Sequence, residues 1–423
     1  MRQIILCVSL FFGSSLLYGG FFSDEKKVVV RTQPAMDIAY EKSEAFSLVN
    51  QVREALGMNT LMANGQLAKA AQAHAEYLVK NRSSAHTEVE GLPGFTGVHP
   101  SNRAFHAGYL SAFVIENLST QNKDAKSSVD GLFSAIYHRF GFLDVGIDEM
   151  GVGVAQQYSD TKNSAFVYVM GNSALNALCH EPSFRGSGRY IYHACKDPEH
   201  RIESKRFEKA QNSSKWMNPK VIFYPYDGEE EVPPAFYSEV PDPLPDYEVS
   251  GFPVSVTFND YFFHKVKLRS FKLFRGDGSE VTKTRLLSGK NDPNRRFSKF
   301  EFALFPLERL AYDTDYRVQI SYIYKGREVT KSWHFHTTKP LEKLIYIKEK
   351  EATVKLVRGK GYWLYFVPMD GHDTLSDILF PEEVDMAFID NNTLRISPLG
   401  EEVDDFILRS GRRTLHVEVV DPD

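Results

Sequence analysis

The sequence predicts an α+β chain, with a helical N-terminal domain that carries a β-hairpin, followed by all-β modules. Three observations carry this reading. Apolar residues recur at helical spacing between about residues 44 and 140. Short alternating runs take over after residue 150. Aromatic residues, 13% of the chain, concentrate in the C-terminal half, where Tyr and Phe suit strands. At roughly 100–200 residues per domain, 423 residues leave room for two to four domains. Lys and Arg number 50 against 55 Asp and Glu, a net charge of −5, which excludes a global basic surface for nucleic acid.

The chain opens with the pattern of a secretory signal over residues 1–20. Arg2 supplies the charged start, Ile4 to Tyr18 is apolar or small, and Gly19-Gly20 offers a small-residue cleavage site. Gly and Ser interrupt the apolar run, so a retained membrane anchor is the weaker reading, and the mature protein is expected to be periplasmic or secreted with no membrane span. Cys7 lies inside this segment, too early for lipid attachment at the cleavage point. Residues 21–40 read as a flexible lead-in.

A domain is expected over 41–173. Leu48, Val49, Val52 and Leu56 mark a first helix that Gly57 stops. Asn64 is the expected N-cap of a second, with Leu67, Ala70, Ala71, His74 and Leu78 on one face. Residues 82–110, rich in Gly, Pro, Ser and His, read as one long loop. A third helix is expected from Ser127 to Phe140, with Val129, Leu132, Phe133, Ile136 and Phe140 inward and Gly131, Ser134 and His138 on the opposite face. Gly151-Val-Gly-Val-Ala155 and Ala165 to Met170 form a hairpin packed on the helices.

Residues 174–245 read as an extended, semi-rigid connector. They hold a charged run, Asp197 to Lys209, taken as a solvated face, and then seven prolines from Pro219 to Pro245. Residues 246–338 alternate, with a turn at Gly276-Asp277-Gly278 and another at Lys325-Gly326, as in a β-sandwich. Residues 341–423 add strands at Ala352 to Val357, Tyr362 to Val367 and Thr414 to Val420, which suits a small third β module.

With Cys7 removed, Cys179 and Cys195 are left, which in an exported chain read as one disulfide. Zinc held by the two cysteines and two of His180, His193 and His200 is the rival reading. The spacing matches no compact zinc finger.

The sequence has no GxSxG elbow, Walker loop, Rossmann glycine fingerprint or HExxH. The residues that could carry chemistry are His86, Glu116, His138 and Glu149. Two imidazoles and two carboxylates suit a divalent cation such as zinc, or a hydrogen-bonded acid–base network. Each also has a plainer reading. Glu116 can simply pair with Arg103, and His138 can sit at a helix C-terminus, where a cation is favoured anyway. His74 reads as a satisfied core histidine, and His99 and His106 as solvated.

Residues 44–172 resemble the CAP superfamily of cysteine-rich secretory proteins, antigen 5 and pathogenesis-related proteins, in its bacterial branch. The resemblance rests on Val49-Asn-Gln-Val-Arg53 with Gly57 and Leu61, Leu67 through His74-Ala75, and Ser84-Ala-His86. It continues with Pro100, Arg103, Gly108-Tyr109, Glu116-Asn117, His138-Arg139 and Glu149-Met-Gly-Val-Gly-Val-Ala155. It implies an α-β-α sandwich with a cleft in which His86, Glu116, His138 and Glu149 meet, and it associates that cleft with divalent metals and with sterols or lipids. The chain departs from the pattern at Ile115, where a glycine precedes the glutamate, and at Leu132 or Phe133, where a tryptophan is usual. It also departs in Phe166 to Met170, which lacks the second cleft histidine of eukaryotic members.

Downstream, Leu310, Asp313-Thr-Asp-Tyr316 and Trp333-His-Phe-His-Thr337 resemble a bacterial immunoglobulin-like domain, which implies a spacer or partner-binding module. Three functions follow as expectations. The first is an exported binding protein using the cleft for a metal ion or a small or lipid ligand, with protein or cell-envelope partners on the β modules. The second is a metal-assisted hydrolase of envelope or peptide material, with Glu116 as general base on a metal-bound water. The third is an adhesin or scaffold with an inert cleft.

Overall fold

The computed structural model describes residues 34–422 apart from 377, 379 and 382. The signal segment, Cys7 and most of the lead-in lie outside the described residues. The N-terminal domain begins with α1 (Ile38–Ala55), whose N-cap Asp37 accepts from the Ala39 and Tyr40 amides. Ala45 and Val49 are fully buried on its inner face, and Leu48, Val52 and Leu56 pack beside them. The short β1 (Met62–Ala63) leads into α2 (Gly65–Asn81). Asn64 caps α2 as expected, accepting from the Gln66 and Leu67 amides.

β2 (Ile115–Thr120), β3 (Glu149–Gln157) and β4 (Asp160–Gly171) complete a sheet of order β1-β3-β4-β2, antiparallel except for β1 with β3. α2 lies directly on β3. A Cβ on Gly151 would fall 2.0 Å from the Ala68 nitrogen, and one on Gly153 would fall 2.2 Å from the Ala71 carbonyl carbon. These two glycines therefore let helix and strand backbones touch. The sheet face under α2 buries Leu118, Ala155, Ala165, Val167 and Val169. The other face buries Val152, Val154, Phe166, Tyr168 and Met170 against α1 and α4 (Ala125–Ser134). The layering is α-β-α.

Two helical expectations need correcting. The 82–110 loop contains a helix, α3 (Pro100–His106), begun by Pro100 at its first position. The single helix expected over 127–140 is two, α4 and α5 (Ile136–Phe142), broken at Ala135, whose ψ is 116°. Arg139 satisfies the carbonyls that the break frees, its Nε reaching Phe133 O at 2.6 Å and its Nη2 reaching Ser134 O at 3.4 Å. His138 consequently sits inside α5 rather than at a helix end.

The extended connector is also a correction. Residues 174–245 hold most of α6 (Ser173–His180), all of α7 (Ser204–Lys215), and strands that belong to the next module. α7 turns Phe207, Ala210 and Ser214 inward and leaves Lys205, Arg206, Glu208 and Lys209 exposed. Cys179 at the end of α6 is bonded to Cys195. The rival zinc set thereby loses its thiolates, and closing the 16-residue separation is worth roughly 3 kcal/mol in the chain-entropy model.

Val221–Tyr224 is the edge of one sandwich sheet, beside Val254–Phe258, Glu301–Pro306 and Thr284–Ser288. Glu229–Val232 is the edge of the other, beside Arg327–Thr337, Asp315–Tyr324 and Lys267–Arg275. Four of the seven prolines stand near strand ends: Pro219 before Val221, Pro225 after Tyr224, and Pro233-Pro234 after Val232. One buried cluster runs unbroken from α1, α4, β3 and β4 into the sandwich through Phe133, Tyr224, Phe252 and Val254. The C-terminal strands enclose a separate core around Leu356, Leu364, Ile396 and Leu415. Arg309 ties that module on, paired with Asp390 and lying over the Tyr312 and Tyr365 rings. Among the described residues no helix is long and apolar enough to cross a membrane.

Candidate functional site

Three of the four expected residues converge. β2 presents Glu116, the turn after α2 presents His86, and α5 presents His138. His86 Nδ1 lies 3.0 Å from Glu116 Oε1. The His86 and His138 rings stack, with centroids 6.0 Å apart and planes 21° from parallel. His138 Nδ1 lies 2.9 Å from Glu239 Oε2. Each Nδ1 faces a carboxylate, an acceptor, so in the neutral ring the proton sits there and the lone pair is on Nε2. Neither Nε2 has a hydrogen-bond partner among the described residues.

Glu116 is not free. Arg103 Nη2 donates to both of its oxygens, at 2.8 and 2.7 Å, and the Glu116 and Arg103 side chains are each 1% exposed. Burial alone would raise the Glu116 carboxyl. His86, the Arg103 guanidinium and His74 outweigh it and hold the group below the ordinary glutamate range. His74 is buried, as the sequence suggests, but it belongs to the same network. Its Nδ1 meets Glu88 at 2.9 Å, while its Nε2 lies 3.8 Å from Glu116 and has no hydrogen-bond partner. Glu88 also accepts from the Thr96 and Gly97 amides, fixing the loop that leads to α3. His99 and His106 are exposed, as expected.

Glu149 does not join the cluster, which corrects the four-residue expectation. It stands at the start of β3, near the N-terminus of α2, where its Oε2 accepts from Asn64 Nδ2 at 2.8 Å. Burial and the adjoining Glu149 carboxylate push the Tyr109 hydroxyl well up. Glu149 thus holds the α2 start against β3.

His86, Glu116 and His138 line a cavity of about 270 Å³ whose far wall comes from outside the N-terminal domain: Val240 and Pro241, then Arg296 and Glu301. Glu239 and this wall were missed in the sequence. Glu239 is 101 residues from His138, and no spacing rule links them. Tyr137 also lines the cavity, but its hydroxyl is taken up by Asp292 and Asn294.

Among the described residues no group of three or more His, Cys, Asp or Glu side chains is arranged to hold a divalent ion. His86, Glu116 and His138 do not fit as a three-ligand shell, because both Glu116 oxygens are engaged. Two carboxylate-backed imidazoles remain, an arrangement in which the carboxylates orient potential ligands.

Burial pushes the Glu301 carboxyl up to about 7. Its folded value then lies above the ordinary glutamate value of 4.5, so the folded chain holds the proton to higher pH than the unfolded chain. The stability linked to this group is full below pH 4.5 and declines as pH rises toward 7. Glu229, also pushed up to about 7 by burial, acts in the same sense. Glu301→Gln is expected to flatten the fall in urea midpoint between about pH 5 and 8, leaving the share due to Glu229. An unaltered profile in the variant would mean that Glu301 ionises as in water.

Residues 46–172 match the model of the cysteine-rich secretory protein family. No curated protein matches the chain in sequence. Among solved structures, an outer surface protein from Borrelia burgdorferi is 20% identical, with 32% of this chain and 95% of that one covered and a TM-score of 0.28. An extracellular protein containing an SCP domain from Bacillus anthracis is 18% identical, with a TM-score of 0.28, and a cysteine-rich secretory protein from Staphylococcus aureus is 15% identical, with a TM-score of 0.21. Each of these two also aligns with 32% of this chain, which spans 44% and 40% of their respective lengths. The matched span holds the α-β-α layers and the His86–Glu116–His138 convergence, and residues 46–172 are a domain of the cysteine-rich secretory protein, or CAP, family.

Proposed function

We propose that the chain is an exported binding protein whose cleft takes an electron-pair acceptor, either a divalent cation or a hydroxyl-bearing head group. The observation that carries this is the stacked His86–His138 pair, each Nδ1 held by a glutamate and each Nε2 unpartnered at the cavity. The carboxylates hold the imidazoles in the tautomer that offers a lone pair, so both kinds of guest use the same two atoms. A cation would be held by these two nitrogens and keep its other positions for exogenous ligands. The small volume suits a head group whose remainder stays outside. The β modules act as spacers or carry partner contacts, and the signal-like start directs export to the periplasm or beyond.

Binding is favoured over hydrolysis. A general base needs a free oxygen and a value near working pH, whereas Glu116 is bound twice by Arg103 and held low. Titration calorimetry with zinc chloride and, separately, with methyl glucoside tests the reading. Saturable binding of one probe, lost in His86→Ala and weakened in Glu239→Gln, is the expected result and identifies the guest class. No saturable heat from either probe would leave an inert network and overturn the proposal.

A further inference from the structure

A second site lies on the sandwich, lined by residues none of which line the cleft. Between the open edges of its two sheets runs a groove of about 640 Å³. One wall is the strand Lys267–Arg275, whose sheet partner is Asp315–Tyr324. The other is Thr284–Ser288, whose partner is Glu301–Pro306. The floor is apolar, made by Val266, Leu268, Leu286 and Phe302. Five cations stand around it, Lys265, Lys267, Arg269, Lys290 and Lys299, and the lining has no acidic side chain. Among the described residues none of the five takes part in an ion pair, although the neighbouring Lys272 pairs with Glu280 and Lys283 with Glu308.

Lysines on edge strands also keep sheets from pairing with other chains. That explanation covers Lys267 only. Lys265, Lys290 and Lys299 lie in loops outside the strands, and Arg269 is the extra residue where the register shifts between Leu268 and Ser270. A bulge re-aims its side chain. Cations drawn from two loops, a strand edge and a bulge therefore meet at a single apolar floor. Gathering unpaired like charges costs free energy, and a cleft with low-dielectric walls focuses their field on whatever anion enters.

We propose that this groove binds single molecules of an anionic amphiphile, with an acyl chain on the Val266–Leu268–Leu286–Phe302 floor and a phosphate or carboxylate among the cations. Charge complementarity selects the head, and the floor explains why a simple anion would not suffice. The volume falls within the roughly 300–1,000 Å³ usual for small-ligand sites.

The test is titration calorimetry of the full chain with monododecyl phosphate below its micelle-forming concentration. Saturable one-to-one binding is expected, weakening as salt is raised. The double variant Lys267→Glu/Arg269→Glu, at exposed positions, should weaken it about tenfold or more. Leu286→Asp should weaken it comparably, and circular dichroism checks that each variant folds. Inorganic phosphate, with the charge but no chain, should bind far more weakly. Equal affinity for inorganic phosphate, or affinity untouched by both variants, would overturn the proposal. So would co-sedimentation with phosphatidylglycerol vesicles without any response to monododecyl phosphate, since that would place the cations on a membrane surface instead of around a groove.

Discussion

Arg103→Ala is expected to destabilise the chain by about 3–5 kcal/mol, because it leaves the buried Glu116 carboxylate without its cation. Arg103 is 1% exposed. Its Nη2 serves both Glu116 oxygens and the His86 carbonyl, its Nη1 serves the Gly97 and Val98 carbonyls, and its Nε lies 3.9 Å from Glu88. Alanine removes the cation and leaves three carbonyls without this donor. The pH dependence should steepen as well. In the native chain burial raises Glu88 and Glu116, but their partners outweigh it and hold both below the ordinary value. Their stabilisation is therefore present above the unfolded value, near 4.5, and is lost as pH falls through the lowered folded values. Without Arg103, Glu116 loses the cation that helps to hold it low and its carboxyl rises, while Glu88 keeps His74 and the Thr96 and Gly97 amides. Acidifying from about pH 7 to 5 should therefore stabilise the variant by more than the native chain, whose own gain comes from Glu229 and Glu301. Urea midpoints at the two pH values measure both effects. A loss under about 1 kcal/mol, or parallel pH profiles, would show that Glu116 does not depend on this guanidinium.

Much of this domain is legible in the sequence because local signals coincide with tertiary demands. Asn64 is a cap by residue type and by bonding. Gly151 and Gly153 punctuate a strand pattern because α2 crosses there without room for a Cβ. The pairing of Glu116 with Arg103, read from the sequence as the plainer alternative, is present together with the His86 contact and not in place of it.

The misreadings share a physical cause. The break at Ala135 leaves no mark, since no Gly or Pro stands there and Val129 to Phe140 bury one side on both halves. The side chain that completes the break, Arg139, lies four residues on. Val221–Tyr224 and Glu229–Val232 are four residues each, too short for periodicity to outweigh the prolines that bound them. Glu149 matches a family position by its place before a glycine-rich strand, but that place brings it to Asn64 and Tyr109 instead of the cleft. Glu239 illustrates the limit of local reading. The acidic partner of His138 comes from a stretch whose composition advertises only extended chain, and the contact exists because that stretch crosses the cleft.

The same long-range logic makes Arg139 the second critical residue. Arg139→Ala is expected to cost about 3–5 kcal/mol and to make the N-terminal domain unfold before the sandwich. The guanidinium is fully buried. Within the N-terminal domain it donates to Phe133 O. Across the boundary it donates to Pro253 O at 2.6 Å and Ser255 Oγ at 3.1 Å, and it lies 4.6 and 4.8 Å from the Tyr224 and Phe252 ring centres. Burial lowers its pKa to about 10, so it remains charged at neutral pH and its cation–π contacts persist. Phe133 stacks on Tyr224 at 5.3 Å beside it, so the shared core and the guanidinium couple domain and sandwich together. Alanine would leave a cavity at that boundary and expose the Phe133 and Pro253 carbonyls to it without donors. Two probes can read the outcome separately. Trp333 and Trp363 lie in the β modules and Trp216 at the end of α7, with no tryptophan in residues 46–172, whereas helical circular dichroism comes mostly from the N-terminal domain. In the variant the helical signal should be lost at lower denaturant than the tryptophan signal. Coincident transitions with native-like stability would mean that the apolar core alone holds the domain to the sandwich and that Arg139 only finishes the break at Ala135.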